Sequence, residues 1–266
     1  MPAKPKYAAD PHIAEVYDQL EDHIFEFVLL RRLIGPAEDL RIFEPFCGPG
    51  RLIVPLAFAG HFVAGMDESE SMLQRCRMKL AVLPDEVAAR VGLLRGDVLR
   101  EPWPDEMDLV LLGGNCFYEL AGEAQQRECI RRAREALVGG GHLFCDNDEH
   151  PAAELHTSWR LPPGQWRKTF PTGTCSDGTR VEGFTETASF DVPGRTVRYR
   201  RKMVITPPRG SPVEHRWEET CRPARMDETR RWLEEAGFVV ERTFGDRIGH
   251  PFVKGQGRAI LWARRL

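Results

Sequence analysis

Residues 41–73 read R-I-F-E-P-F-C-G-P-G-R-L-I-V-P-L-A-F-A-G-H-F-V-A-G-M-D-E-S-E-S-M-L, and this stretch constrains the fold more than any other. Ile42, Phe43 and Phe46 make a short apolar strand with Glu44 near its end. Cys47-Gly48-Pro49-Gly50 then lets the backbone turn tightly and approach a ligand, because glycine puts no Cβ in the way. Leu52 to Phe58 fits a buried helix stopped by Gly60, and Phe62 to Met66 is the next strand. Asp67 falls where that strand runs out, the edge at which open α/β sheets hold nucleosides. A carboxylate at that edge accepts both hydroxyls of a ribose.

The turn separates two classes of cofactor. A dinucleotide fingerprint wants G-x-G-x-x-G; Gly48 and Gly50 fit, but the third position is Ile53. A lone glycine pair also occurs in ordinary βαβ units. An acid, then C-G-x-G, then D-x-S-x-x-M after the second strand is more specific, and it resembles the class I S-adenosylmethionine (SAM)-dependent methyltransferases. The resemblance implies that Glu44, Gly48 and Gly50 hold the amino-acid end of SAM, that Asp67 takes the ribose and that Met72 packs on the adenine.

Composition excludes other classes. The chain has 266 residues, 42% hydrophobic and 29% charged, ample for one α/β core with an insertion. Its formal net charge of -3 leaves no electrostatic footprint for nucleic acid or an anionic membrane. No apolar run approaches the roughly 18 residues that span a bilayer. The N-terminal M-P-A-K-P-K-Y lacks an apolar signal region, so a cytoplasmic location is expected. Seven scattered cysteines with no C-x-x-C pair fit reduced, buried thiols.

Apolar residues at helical spacing predict one helix over residues 11–33, ended by Gly35-Pro36. Tyr17 lies beside its apolar stripe and reads as a half-buried packing residue. In the resembling enzymes such a helix covers the SAM pocket, which makes Tyr17 and Tyr7 candidates for contact. Ser69 is a good N-cap for a helix from Glu70 to about Leu80. A third strand, Val91 to Leu94, leads into Arg95-Gly96-Asp97-Val98. An aspartate beside a glycine is common in turns; the resemblance places Asp97 and Val98 at the adenine.

Met107 to Leu112 is a near-continuous apolar strand, as in the middle of a parallel sheet, and ends in G-G-N-C-F-Y-E-L. This run lacks the prolines of the N-P-P-Y motif of amine methyltransferases acting on bases or glutamine. It is closer to a G-N-x-F-x-x-L pattern of enzymes acting on glycine or sugar amines. The resemblance implies that Asn115 contacts SAM and that Phe117 and Tyr118 face the acceptor. A helix over residues 123–137, closed by Gly139-Gly140-Gly141, precedes a fifth strand, His142 to Asp146. Asp146-Asn147-Asp148-Glu149-His150 then forms a polar cluster. It has no second histidine at metal-ligand spacing, so no metal is expected. A solvated loop is the simpler reading; His150 with its near-neutral pKa is the candidate proton acceptor.

From Pro151 to Pro223 the texture changes to short alternating runs with turns at Asp177-Gly178 and Pro193-Gly194, an antiparallel β insertion. Its basic residues, Arg195 to Lys202, read as a solvated strand face. Residues 225–236 form a helix, and Phe238 to Val240 and Ala259 to Ala263 are the last strands. The resemblance puts the final strand antiparallel between its two predecessors. The expected organisation is therefore a cap (1–34), a SAM-binding core (35–150), a β insertion closing the acceptor pocket (151–223) and the end of the core (224–266). The expected fold is a Rossmann-like seven-stranded methyltransferase sheet with helices on both faces.

The expected activity is methyl transfer from SAM to N or O of a small molecule, with Tyr118 and His150 as catalytic candidates and no nucleic-acid or membrane partner. Three rivals stand beside it. They are a nucleic-acid or protein methyltransferase, a non-catalytic SAM-binding module and, least favoured, a nicotinamide oxidoreductase.

Overall fold

The computed structural model describes residues 7, 9–21, 23–149, 162, 164–255 and 257–266. Parallel strands β1 (Arg41–Pro45), β2 (Phe62–Asp67), β3 (Val91–Arg95), β4 (Met107–Leu112) and β5 (Leu137–Asp148) form most of a seven-stranded sheet. Strands β10 (Phe238–Phe244) and β11 (Arg258–Arg265) complete it in the order β10-β11-β5-β4-β1-β2-β3. β11 runs antiparallel to both β5 and β10, so the last strand does lie between its predecessors.

Side chains alternate across the sheet, and this divides the core into two layers. Phe43 joins Val110, Leu143 and the inner residues of α6 (Glu123–Ala136) and α7 (Met226–Glu235). Its neighbour Ile42 joins Leu29, Leu56 and Leu73 on the opposite face. These come from α2 (Phe25–Ile34), α3 (Ile53–Phe58) and α4 (Glu70–Leu80). The apolar run of β4 is buried on both faces, as its sequence requires. β1 pairs with β2 on one side and β4 on the other. The strand order therefore reverses at β1, which opens a crevice at the carboxyl ends of β1 and β4.

The insertion is a separate antiparallel sheet in the order β6-β7-β8-β9. It comprises β6 (Arg167–Thr174), β7 (Arg180–Asp191), β8 (Thr196–Thr206) and β9 (Val213–Cys221). β6 is the strand that alternation misses, because Pro171 and Gly173 interrupt it and its register slips between Thr169 and Gly173. An edge strand tolerates both residues. The arginines of β8 are spent on neighbouring carboxylates, Arg198 on Glu218 at 3.0 Å and Arg200 on Glu186 at 3.0 Å.

Two other expectations are corrected. The single helix over 11–33 is two: α1 (Pro11–Leu20) and α2, broken at residues 21–24. The helices bury their apolar faces against different surfaces. Ile13 and Val16 of α1 pack on Val181, Met203 and Ile205 of the insertion, whereas Leu29 and Leu30 pack on the main sheet. Gly173 allows that approach, since a Cβ there would lie 2.8 Å from Val16 Cγ1. Nor do the three glycines stop α6. Leu137 is already extended, and the glycines lie within β5 where its register against β4 shifts. A Cβ on Gly141 would sit 3.1 Å from the Asp108 carbonyl oxygen, so the bulge needs glycine.

Candidate functional site

The site grows from the turn after β1. Phe46, Gly48 and Gly50 all have left-handed backbones, with φ of 64°, 54° and 77°. Gly50 has no alternative, because a Cβ there would collide with the Cys76 sulfur of α4. Asp67, at the end of β2, fastens the turn: its carboxylate accepts from Gly48 N–H at 2.9 Å and from Ser69 N–H at 2.8 Å. Ser69 Oγ in turn accepts from Met72 N–H at 3.3 Å, capping α4 and seating Met72 beneath the crevice. After β3, Asp97 accepts from Leu99 N–H at 2.9 Å and closes its own turn.

These elements surround a cavity of about 420 Å³, a size suited to a small-molecule ligand. Glu44, Gly48, Asp67, Met72, Asp97 and Val98 all line it. Tyr17 and Tyr7 enter from the cap, and Trp217 and Glu218 come from β9 of the insertion. Glu119 and Gln125 also line the cavity.

Gly50, Asn115 and Tyr118 do not line this cavity. Gly50 shapes the turn from behind. Asn115 spends its side chain on Asp148, donating to Oδ2 at 3.0 Å and accepting from the backbone N–H at 3.0 Å, which fastens the end of β4 to the end of β5. Tyr118 Oη meets Tyr199 Oη of β8 at 2.8 Å in a buried contact between core and insertion. Burial, with Tyr199 beside it, pushes the Tyr118 hydroxyl well above its usual pKa. His150 lies outside the described residues.

The cavity is acidic, and Arg51 is its one cation among the described lining residues. Burial pushes Asp67 up to about 6. Burial also pushes Glu44 well above the ordinary carboxylate range, with the charges of Glu26 and Asp67 adding to it and Arg51 opposing. Glu44 Oε2 is buried with no hydrogen-bond partner among the described residues. Beneath the cavity, Glu26 of α2 is paired with Arg51 and lies 3.3 Å from Arg247. Arg247 also bonds Asp146 at 2.9 Å, and Arg258 holds Asp146 and Asp148. Burial and the hydrogen bond with Glu26 raise Asp146; against its own burial, Glu26 is held low by that same hydrogen bond and then by Arg51 and Arg247. Among the described residues no group of His, Cys, Asp or Glu is arranged to hold a metal, and no helix is long and apolar enough to cross a membrane.

The family model for a methyltransferase domain matches residues 42–141, the span from β1 into β5 that builds this cavity. Residues 42–141 carry a methyltransferase domain. Solved structures repeat its fold over nearly the whole length. The CcbJ methyltransferase from Streptomyces caelestis is 23% identical, with 95% of this chain and 96% of that one covered and a TM-score of 0.69. A SAM-dependent methyltransferase from Clostridium acetobutylicum is 13% identical over 96% and 98%, with a TM-score of 0.70. SAM-bound CalS10, an amino pentose methyltransferase from Micromonospora echinaspora, is 18% identical over 94% and 92%, with a TM-score of 0.58. The curated relatives match a shorter piece. A 23S rRNA (uracil(1939)-C(5))-methyltransferase, RlmD of a Shewanella species, is 35% identical over 80 residues, 30% of this chain. The chain spans only 18% of that relative's length.

The domain's residues fit SAM. Glu44 Oε2 lacks a partner where an ammonium is needed, and Asp67 still presents carboxylate lone pairs to the cavity after fastening the turn. Lining residues that were not read from sequence include Arg51, Trp217, Glu218, Glu119 and Gln125. Arg51 carried a signal, since it directly follows the glycine turn. Trp217 carried none, because alternation in an insertion strand does not say which face meets the core.

Proposed function

We propose that this chain transfers the methyl group of SAM to N or O of a small-molecule acceptor. The observation that carries the reading is one cavity lined both by Glu44, whose buried Oε2 has no hydrogen-bond partner among the described residues, and by the turn-fastening carboxylate Asp67, with Trp217 and Glu218 of the insertion also in its lining. Glu44 and the Gly48 turn would hold the amino-acid end of SAM, Asp67 the ribose, and Met72, Asp97 and Val98 the adenine. Tyr17 would cover the cofactor. SAM, when bound, supplies an electrophilic methyl carbon. The chain's own work is to align the acceptor with it and exclude water, and alignment alone lowers such barriers by about 7 kcal/mol or more.

Three features support a small acceptor. Trp217 and Glu218 of the insertion close the cavity. Its acidic lining repels a phosphate backbone and suits an amine that arrives as a cation. Structural neighbours include the amino pentose methyltransferase CalS10 and the glycopeptide N-methyltransferase MtfA. The rRNA relatives argue for a nucleic-acid acceptor only through their shared 80 residues. Tyr118, held by Tyr199, acts in this reading as a positioning residue, and His150, named on sequence grounds, receives the acceptor's proton.

Calorimetry of SAM and S-adenosylhomocysteine with wild type and Asp67→Ala tests the cofactor site. Micromolar binding weakened at least tenfold by the substitution, about 1.4 kcal/mol, supports it; no binding of either ligand refutes it. Turnover of a panel of small amines and alcohols, set against RNA fragments, then tests the acceptor class.

A further inference from the structure

Outside the cavity, a cluster of titratable side chains fastens the cap to the insertion. Asp10 caps α1, accepting from His12 N–H at 2.9 Å, and its Oδ1 also meets His12 Nδ1 at 2.7 Å. The other ring nitrogen, His12 Nε2, lies 3.3 Å from Asp177 Oδ2 in the turn between β6 and β7. Asp177 is itself fixed, accepting from Thr179 N–H at 2.8 Å and from the Thr179 hydroxyl at 3.0 Å. From β9, His215 Nε2 comes within 3.8 Å of Asp10 Oδ2; it is buried and has no hydrogen-bond partner among the described residues. Cys175 Sγ donates to the His12 carbonyl oxygen at 3.5 Å. The nearby cations of α4 are committed to α1, Arg75 to Glu15 and Asp18 and Lys79 to Asp18.

His12 thus sets each ring nitrogen against a carboxylate. A neutral imidazole has one N–H and one lone pair, so it donates to one aspartate and turns its lone pair on the other. Only the imidazolium donates to both. Burial lowers the His12 pKa, but the hydrogen bonds and charges of Asp10 and Asp177 outweigh it and raise the value above 6.5. We infer that His12 is a proton-operated latch: as the imidazolium it bridges the start of α1 to the β6–β7 turn, and on losing its proton it releases that turn. α1 also carries Tyr17, and β9 carries Trp217 just beyond His215, and both line the cavity. The latch therefore joins two walls of one cavity, and a fastened cap slows the passage of ligands, a consequence that rests on the SAM reading above. Because docking raises the His12 pKa, the bridge is fully present below about pH 6.5 and lost as the pH rises through the raised value.

Hydrogen exchange of the ligand-free wild type, His12→Gln and Asp177→Asn at about pH 6 and about pH 8.5, on either side of the His12 transition, supplies the test. Comparison with His12→Gln at the same pH cancels the pH dependence of exchange itself. At the lower pH, α1 and the β6–β7 turn should be about two- to fivefold better protected in wild type, as a part-exposed ion pair allows. The advantage should vanish at the higher pH. Asp177→Asn, which keeps an acceptor for Thr179, should lack it throughout. Equal protection of wild type and His12→Gln at the lower pH, or an equal advantage at both, overturns the latch. So does an Asp177→Asn protein that keeps wild-type protection at the lower pH, the mark of a His12–Asp10 pair that serves only the helix end. S-adenosylhomocysteine should leave His12→Gln faster than wild type by the same factor at the lower pH, and equal release rates overturn the gating. Wild type that binds no S-adenosylhomocysteine refutes the SAM reading and the gating with it, while exchange still decides the latch.

Discussion

Glu44 and Asp67 are acids that the fold holds in the less favourable, buried setting, and their titration gives the first measurable consequences. Burial pushes Glu44 toward its neutral form, and an arriving ammonium reverses that preference. SAM binding at neutral pH should release up to about one proton, seen as a dependence of binding enthalpy on buffer ionisation enthalpy and abolished in Glu44→Gln. Asp67 titrates at about 6 rather than 3.8. The folded state thus keeps a proton that the unfolded chain has already lost. Its ionisation costs at most about 3 kcal/mol of stability, a cost absent below pH 4 and complete above pH 6. Affinity runs the opposite way, because the ribose needs the carboxylate. Below pH 6 the Kd for SAM should rise by up to about tenfold per pH unit on top of the dependence that Glu44 sets, and Asp67→Asn should remove that added slope. Gly50→Ala should lower stability by about 2–4 kcal/mol in chemical denaturation, through both its backbone conformation and the collision with Cys76. Adding Cys76→Ala should recover the collision part only. Asp67, Glu44 and the glycines could be read from sequence because chemistry and chain geometry fix their types at those positions. Asn115 was misplaced: its amide matches a strand-end pattern, yet both its polar atoms are committed to Asp148.

At the level of elements, periodicity located nearly every helix and strand of the core, since each must bury an apolar face on the sheet. It failed where an element answers to a surface that sequence cannot name. The break between α1 and α2 arises because the two halves pack on different sheets, and β6 is hidden by residues that only an edge strand accepts. The insertion's charges likewise needed the fold. Arg201 is buried against Glu219 at 2.7 Å and over the Tyr199 ring, not on a solvated face. Arg201→Met should therefore cost about 1.5–3 kcal/mol in denaturant unfolding by removing a largely buried ion pair, while Trp217 still donates to Glu219. The SAM Kd should stay within about threefold, since the cofactor residues lie on other elements. Tyr118→Phe removes a hydroxyl that bonds Tyr199 rather than the cavity. Turnover should change by less than about threefold, against the 10²–10⁴-fold loss expected of an acid–base residue.

Across the whole molecule, three chain segments distant in sequence close one cavity: the cap through Tyr17, the core through its strand ends, and the insertion through Trp217. α1 ties them together. Its Glu15 accepts from Ser176 N–H at 2.7 Å in the β6–β7 turn, and its Asp18 pairs with Arg75 at 3.3 Å on α4. Hydrogen exchange should then slow on SAM addition not only across residues 44–72 but also in α1; protection confined to the core would show that the cap is no cover. The sequence by itself determined the sheet, the glycine turn and the acids at the strand ends, because a parallel βαβ unit fixes which residues stand there. Only the tertiary structure decided that Arg51 is split between Glu26 and the cavity, that Tyr118 is turned toward Tyr199, and that Trp217 forms a wall. Those outcomes depend on how a second sheet and two cap helices dock, and docking is set by complementary buried surfaces that no local spacing records.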